Sequence, residues 1–235
     1  MTSVTSEEPR RERPGLGDVG LALMAVAAGS TDAMAFLKLG MVFTSAMTGN
    51  TVLMCIAIGQ GRLAAALLSF AAFASFVVGA MLAAALSGRR PARTGASLTP
   101  LFVLEIACLA GFVALWFASD RSKEAATYAL VALSALAMGV QGVTARHINV
   151  PQVNTIVFTT TILTVVVSVT NALLRSPGLP FDTKRQIGVL LIYALGAALA
   201  GLSIARDDGV YLWLPLIAVI GAFASYAFAG KMKPA

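Results

Sequence analysis

The chain has 235 residues, of which 58% are hydrophobic and only 12% charged. A soluble domain carries about 25% charged residues, so a water-soluble globule is excluded and the bilayer is the natural solvent. The net charge of +6 sits mostly in short stretches between apolar runs, which is the pattern of membrane topology rather than of a nucleic-acid surface.

Residues 1–15 are polar, charged and Pro-containing, and are predicted to form a disordered cytoplasmic N-terminus. No small-residue cleavage site separates them from the first apolar run. Residues 16–235 read as a single transmembrane domain. Eight apolar segments follow, at 18–39, 41–59, 63–87, 98–118, 125–145, 153–174, 186–205 and 210–229. Most are long enough to span at about 20 residues each. The expected fold is all-α, a polytopic membrane helix bundle.

The first segment carries Ala28-Gly29-Ser30-Thr31-Asp32-Ala33. A carboxylate in hydrocarbon must be protonated, paired or facing water. Asp32 is therefore a proton-coupling candidate, unless it caps a helix break after Gly29-Ser30-Thr31. The second segment opens with Val42-Phe43-Thr44-Ser45 and continues through Thr48-Gly49-Asn50-Thr51. This pattern predicts a short extended stretch and then a helix that starts inside the membrane. Such a start exposes N–H groups and a partial positive charge. Thr48 or Asn50 would cap it, and Gly49 would allow a close approach. Thr48, Gly49, Asn50 and Thr51 are thus substrate-binding candidates, suited to an anion or a carboxylate. The plainer alternative is a kinked helix whose Thr and Asn bond a neighbour.

Ala71, Ser75, Gly79 and Ala83 form a small-residue stripe in the third segment, as do Gly188, Gly196 and Ala200 in the seventh. Both stripes are expected to let helices pack closely. Glu105, in the fourth segment, is the second proton-coupling candidate; it could instead snorkel to the interface or pair with Arg93. Gln141 of the fifth segment and Thr159 and Thr160 of the sixth complete the substrate-binding set. Thr161 belongs to the same run. Gln141 could equally bridge helices, and Thr side chains readily satisfy their own helix. Arg146 and His147 are expected at the interface, and Trp116 and Trp213 in interfacial belts. Cys55 and Cys108 read as small core residues. With one histidine and no catalytic motif, no metal, cofactor or enzymatic activity is expected.

Several of these features occur twice. Gly29 matches Gly139, Thr48 matches Thr159, and Gly79 matches Gly196, at spacings of roughly 110 to 117 residues, a long internal period as in transporter repeats. Two internal repeats are expected, at 18–118 and 125–229. The distribution of Lys and Arg mildly prefers six full crossings, with the second and sixth segments broken or re-entrant, over eight crossings. In that arrangement Arg89, Arg90 and Arg93 lie inside. Three crossings per repeat require the repeats to be inverted, a recurrent plan for alternating access.

The Ala28–Ala33 run, the Phe43–Thr51 run, Phe76 to Gly79, Glu105 and Met138-Gly139-Val140-Gln141 together resemble the YoaK family, also called DUF1275. The resemblance covers nearly the whole chain after residue 16. It implies a bacterial integral membrane protein with about six spans, and it names no substrate. It also implies a departure in the second half, where Gly142 and Thr160-Thr161 stand in place of the family's frequent Asn or second Thr-Gly.

The expected function is a secondary transporter or channel for a small solute, anionic or carboxylate-bearing, with proton coupling left open. The alternative is a membrane scaffold or sensor subunit without transport. The expected location is the bacterial inner membrane, with both termini cytoplasmic. The expected partners are the lipid bilayer and the solute, with no nucleic acid; self-association into a homo-oligomer stays open.

Overall fold

The computed structural model describes residues 16–88, 98–120, 124–148, 158–174 and 178–231. It contains eight helices: α1 (Leu16–Lys38), α2 (Met47–Gly59), α3 (Leu63–Ser87), α4 (Thr99–Ala118), α5 (Glu124–His147), α6 (Phe158–Leu174), α7 (Phe181–Arg206) and α8 (Val210–Lys231). No strand occurs among the described residues. Six helices are long and apolar enough to cross a bilayer. The other two, α2 and α6, have 13 and 17 residues. At 1.5 Å per residue they fall short of the roughly 30 Å of hydrocarbon.

Helix directions agree with six crossings. Tyr226, near the end of α8, donates to the Gly17 carbonyl at the start of α1 at 2.9 Å. At the other end, the Lys38 ammonium lies 6.0 Å from the Tyr211 ring centroid. So α1 and α8 are antiparallel. Phe102 meets Phe223 and Tyr226, while Trp116 meets Tyr211 edge-on, so α4 and α8 are antiparallel too. It follows that α1 and α4 run the same way, which leaves room for one crossing between them, and α3 is that crossing. By the same count only α5 and α7 cross between α4 and α8. Neither α2 nor α6 completes a span.

The first helix of each half packs on the other half. Helix α1 lies mainly against α7 and α8, and α5 mainly against α3 and α4. This explains why α1 and α5 are the most deeply buried spans, whereas α3 and α7 turn most of their surface outward. Leucines such as Leu67, Leu191 and Leu195 are exposed on that outer face, as hydrocarbon contact requires.

Glycines set the close approaches. A Cβ on Gly29 would sit 2.1 Å from the Tyr193 carbonyl oxygen, and one on Gly139 would sit 2.1 Å from that of Phe76. Within the small-residue stripes Gly79 packs against Leu136 and Gly196 against Val26, whereas Gly188 has open space around it.

Three expectations are corrected. Helix α1 does not break after Gly29-Ser30-Thr31; the Ser30 and Thr31 hydroxyls donate back to the Ala27 carbonyl instead. Trp116 is not in an outer belt but buried at 6% exposure, packed on Phe112 and Tyr211. Cys55 is exposed rather than in the core, while Cys108 is buried. The extended start expected for the sixth segment, and the arginines 89, 90 and 93, lie outside the described residues.

Candidate functional site

The site forms where the chain folds back beside the end of α1. Gly40 and Met41 both adopt left-handed backbone, at φ 91 and 62. That conformation is costly for methionine, and here it reverses the chain at once. Residues 42–46 then run back along α1. Val42 is buried, and Phe43 stacks on Phe36 with ring centroids 5.2 Å apart. Asn50, one turn into α2, clasps Phe43 in both directions. Its Oδ1 accepts from the Phe43 amide at 2.8 Å, and its Nδ2 donates to the Phe43 carbonyl at 2.6 Å.

This fold-back delivers Thr44 and Ser45 to Asp32, six residues before the end of α1 and so about 9 Å in from it. Oδ1 of Asp32 accepts from the Thr44 amide at 2.7 Å, the Thr44 hydroxyl at 2.9 Å and the Ser45 amide at 2.7 Å. Oδ2 accepts from the Ser45 hydroxyl at 2.6 Å and from the Tyr193 hydroxyl of α7 at 2.7 Å. Five donors thus meet one carboxyl that is only 3% exposed. The two backbone amides can only donate, so Oδ1 is committed as an acceptor. Oδ2 faces hydroxyls alone, and these can turn round. Asp32 is therefore a clamp that joins α1, the re-entrant loop and α7.

The clamp is built once. Gly29 and Gly139 make matching approaches, to Tyr193 and to Phe76. In that register Phe76 stands where Tyr193 does, and Gly142 stands where Asp32 does. The second half keeps the close packing and lacks both clamp groups.

The other sequence candidates separate from the clamp. The hydrogen bonds of Asp32 go to Thr44, Ser45 and Tyr193, and none reaches the Thr48–Thr51 run. No side chain caps the start of α2, contrary to the capping expected of Thr48 or Asn50; Asn50 is already spent on Phe43. Gly49 lies against the Phe43 ring, 2.9 Å from where a Cβ would be. Thr48 is exposed, and Thr51 donates to the Met47 carbonyl on its own helix. Thr159 and Thr160 are exposed at the start of α6, whereas Thr161 is buried. Helix α2 packs on α3, and α6 on α7.

Gln141 bridges the two halves, its Nε2 donating to the Met24 carbonyl at 3.0 Å. Glu105 does not snorkel: it is fully buried and neither carboxyl oxygen has a hydrogen-bond partner. His147 bonds back to the Val143 carbonyl, beside an exposed Arg146. A groove of about 480 Å³ opens between the first halves of α1 and α7, lined by residues including Asp18, Lys184 and Arg185. Asp32, Glu105 and Gln141 do not line it. No group of three metal-ligating side chains occurs among the described residues.

Thr44, Ser45 and Tyr193 were absent from the sequence candidates. Tyr193 carried the one usable signal, a hydroxyl where the matching repeat position is Phe76.

The family described as "Protein of unknown function (DUF1275)" matches residues 20–225. The chain belongs to the DUF1275 family. It is 26% identical over 206 residues to the UPF0700 transmembrane protein YoaK of Bacillus subtilis (strain 168), covering 86% of this chain and 90% of that one. No solved structure matches. Family membership and the six apolar helices together make this a multi-pass membrane protein.

Proposed function

We propose that this DUF1275 protein is a secondary transporter for a small solute, built from two inverted halves. The helix directions support the inversion. With one non-crossing helix in each half, α1 and α5 cross in opposite senses. Reciprocal glycine contacts, Gly29 on Tyr193 and Gly139 on Phe76, support a two-fold relation between the halves. Six crossings put both termini on one side. Lys184 and Arg185 at the start of α7 favour that side as the cytoplasm, and the membrane as the bacterial inner membrane.

The observation that carries the transport reading is the Asp32 clamp. A buried carboxyl that holds a re-entrant loop to helices of both halves is a gate in its closed form. Releasing Tyr193 from Oδ2 would free α7 to move relative to α1. The uncapped start of α2, beside this gate, offers N–H donors and the positive end of a helix dipole. That favours a small anion or a carboxylate-bearing metabolite over a metal cation. The reading is of a carrier without catalysis.

The scaffold reading has one observation in its favour: Asp32 and Asn50 are 3% and 1% exposed, as in dry helix contacts. Calorimetry on the purified protein separates the two, using a panel of small anions, carboxylates and cations. A transporter binds an anion or carboxylate and loses it in Gly49→Val, whose side chain displaces Phe43. Absence of binding, binding of cations only, or equal binding by the variant would contradict the proposal.

A further inference from the structure

Glu105 is left unused by the clamp, and its surroundings are unlike those of Asp32. It lies on a stripe of α4 with Phe102, Leu109, Phe112 and Trp116, all of which are buried. This stripe faces inward, where Phe102 packs on Phe223 and Tyr226, and Trp116 on Tyr211. Both carboxyl oxygens are buried without a partner. A second unpartnered polar atom lies at the same level, the buried Oε1 of Gln141. Helices α4 and α5 are antiparallel neighbours, and Gly111 of α4 comes against Leu133 of α5. Six residues back from Gly111 is Glu105; six residues on from Leu133 is Gly139, two short of Gln141. The Gln141 amide also ties this level to Met24 of α1.

The charged and titratable groups around Glu105 are few. On α4 itself there is the buried Cys108, one turn on. Helix α8 presents Tyr226, whose hydroxyl is engaged with Gly17, and Tyr211, which lies beside Trp116 further along the stripe. Helix α5 carries Glu124, Tyr128, Arg146 and His147, all near its ends, and α3 carries no charged residue. On α1, Asp18 is paired with Arg185, Asp32 is held in the clamp, and Lys38 is at the far end. No cation among the described residues faces the Glu105 carboxyl. An ionised carboxylate without donor or counter-ion among apolar side chains is not sustainable.

We propose that Glu105 is the proton-binding site of this protein. It carries a proton in the closed state and exchanges it with water on the side where α4 begins, about 9 Å from Thr99 along the helix. Coupling then divides between two acids: Glu105 binds the proton, and Asp32 holds the gate. This deepens the transport reading and rests on it only for the word coupling.

The hydrophobic reagent dicyclohexylcarbodiimide tests the assignment. It adds to a neutral carboxyl and rearranges to a stable N-acylurea, which mass spectrometry locates in the peptide. The unmodified full-length protein in liposomes is treated across a pH series, with no solute present. The expected result is labelling at Glu105 that falls about tenfold per pH unit once the acid ionises. Glu105→Gln should carry no label there. Labelling absent at every pH, or constant across the series, would overturn the proposal. The transport reading fails separately. Proton-dependent labelling in a protein that carries no solute would sink that reading alone, and solute uptake with an inert Glu105 would sink this one alone.

Discussion

At the scale of single residues, Asp32 is the group on which the local structure depends. Removing its carboxyl strands two backbone amides, two Ser/Thr hydroxyls and a tyrosine hydroxyl in a buried position. A buried donor left without its acceptor costs roughly 1–3 kcal/mol, so Asp32→Ala, which strands several, should lower thermal stability in detergent sharply. Tyr193→Phe removes only one hydrogen bond, worth about 0.5–1.5 kcal/mol. The difference between the two variants in a thermal-unfolding series checks this ordering. Asp32→Asn keeps one acceptor oxygen but turns an NH2 toward hydrogen-bond donors, so it is no silent substitution. An equal, small effect from all three would mean that the loop is held by Phe43 and Asn50 alone.

At the scale of elements, two junctions give definite expectations. Gly79 and Gly139 let α3 and α5 meet backbone to backbone. Valine at either position forces the helices apart, with an overpacking cost of at least about 1–3 kcal/mol. Gly188, with open space around it, should accept valine with little change. Thermal unfolding of the three variants in parallel decides between packing and mere sequence resemblance. The α7–α8 turn is held by Asp208. Its carboxyl accepts from the Ser203 hydroxyl and from the Val210 amide, at 3.0 Å for the latter, and Ser203 in turn accepts from the Tyr211 amide at 2.9 Å. The Ser203 bond first, and the Val210 bond second, hold this carboxyl below the ordinary carboxylate range. A depressed value in the folded state means that its contribution is present above the unfolded value and is lost as pH falls through the folded one. Hydrogen exchange at Val210 and Tyr211 should therefore quicken relative to neighbouring amides in acid. Asp208→Ala should show the same fraying at neutral pH.

The elements were largely legible in the sequence because each span must be apolar for its whole length. Most segment ends fell within two residues of the helices for that reason, although the second segment was begun six residues before α2 and the seventh five residues inside α7; Gly79 and Gly196 of the small-residue stripes announced the close packing. The clamp was less legible. Asp32 stood out as a lone acid in an apolar run, but the polar candidates singled out near it were Thr48–Thr51, which do not bond it. The turn at Gly40 and Met41 reverses the chain earlier than a hydropathy pattern can register, and so brings Thr44 and Ser45 to the acid instead. Tyr193 lies 161 positions from Asp32, and nothing local to either residue records their meeting. For Glu105 the sequence permitted a snorkelling side chain; the inward stripe from Phe102 to Trp116 removes that option.

At the scale of the whole molecule, the central claim is that two inverted halves move a small solute past a gate formed by Asp32, the re-entrant loop and Tyr193. Topology can be read with single cysteines at Lys38 and at Arg146 in a background lacking Cys55 and Cys108. Membrane-impermeant maleimide should reach the first only from outside and the second only from inside. The most direct test is uptake by sealed proteoliposomes under an imposed pH gradient. Radiolabelled small carboxylates and inorganic anions are offered to the wild-type protein and to Tyr193→Phe, with small cations alongside. The expected result is saturable uptake of at least one anion or carboxylate by the wild type, with a changed rate or pH dependence in Tyr193→Phe. No saturable uptake by a folded wild-type protein, or identical uptake by the two proteins, would contradict it.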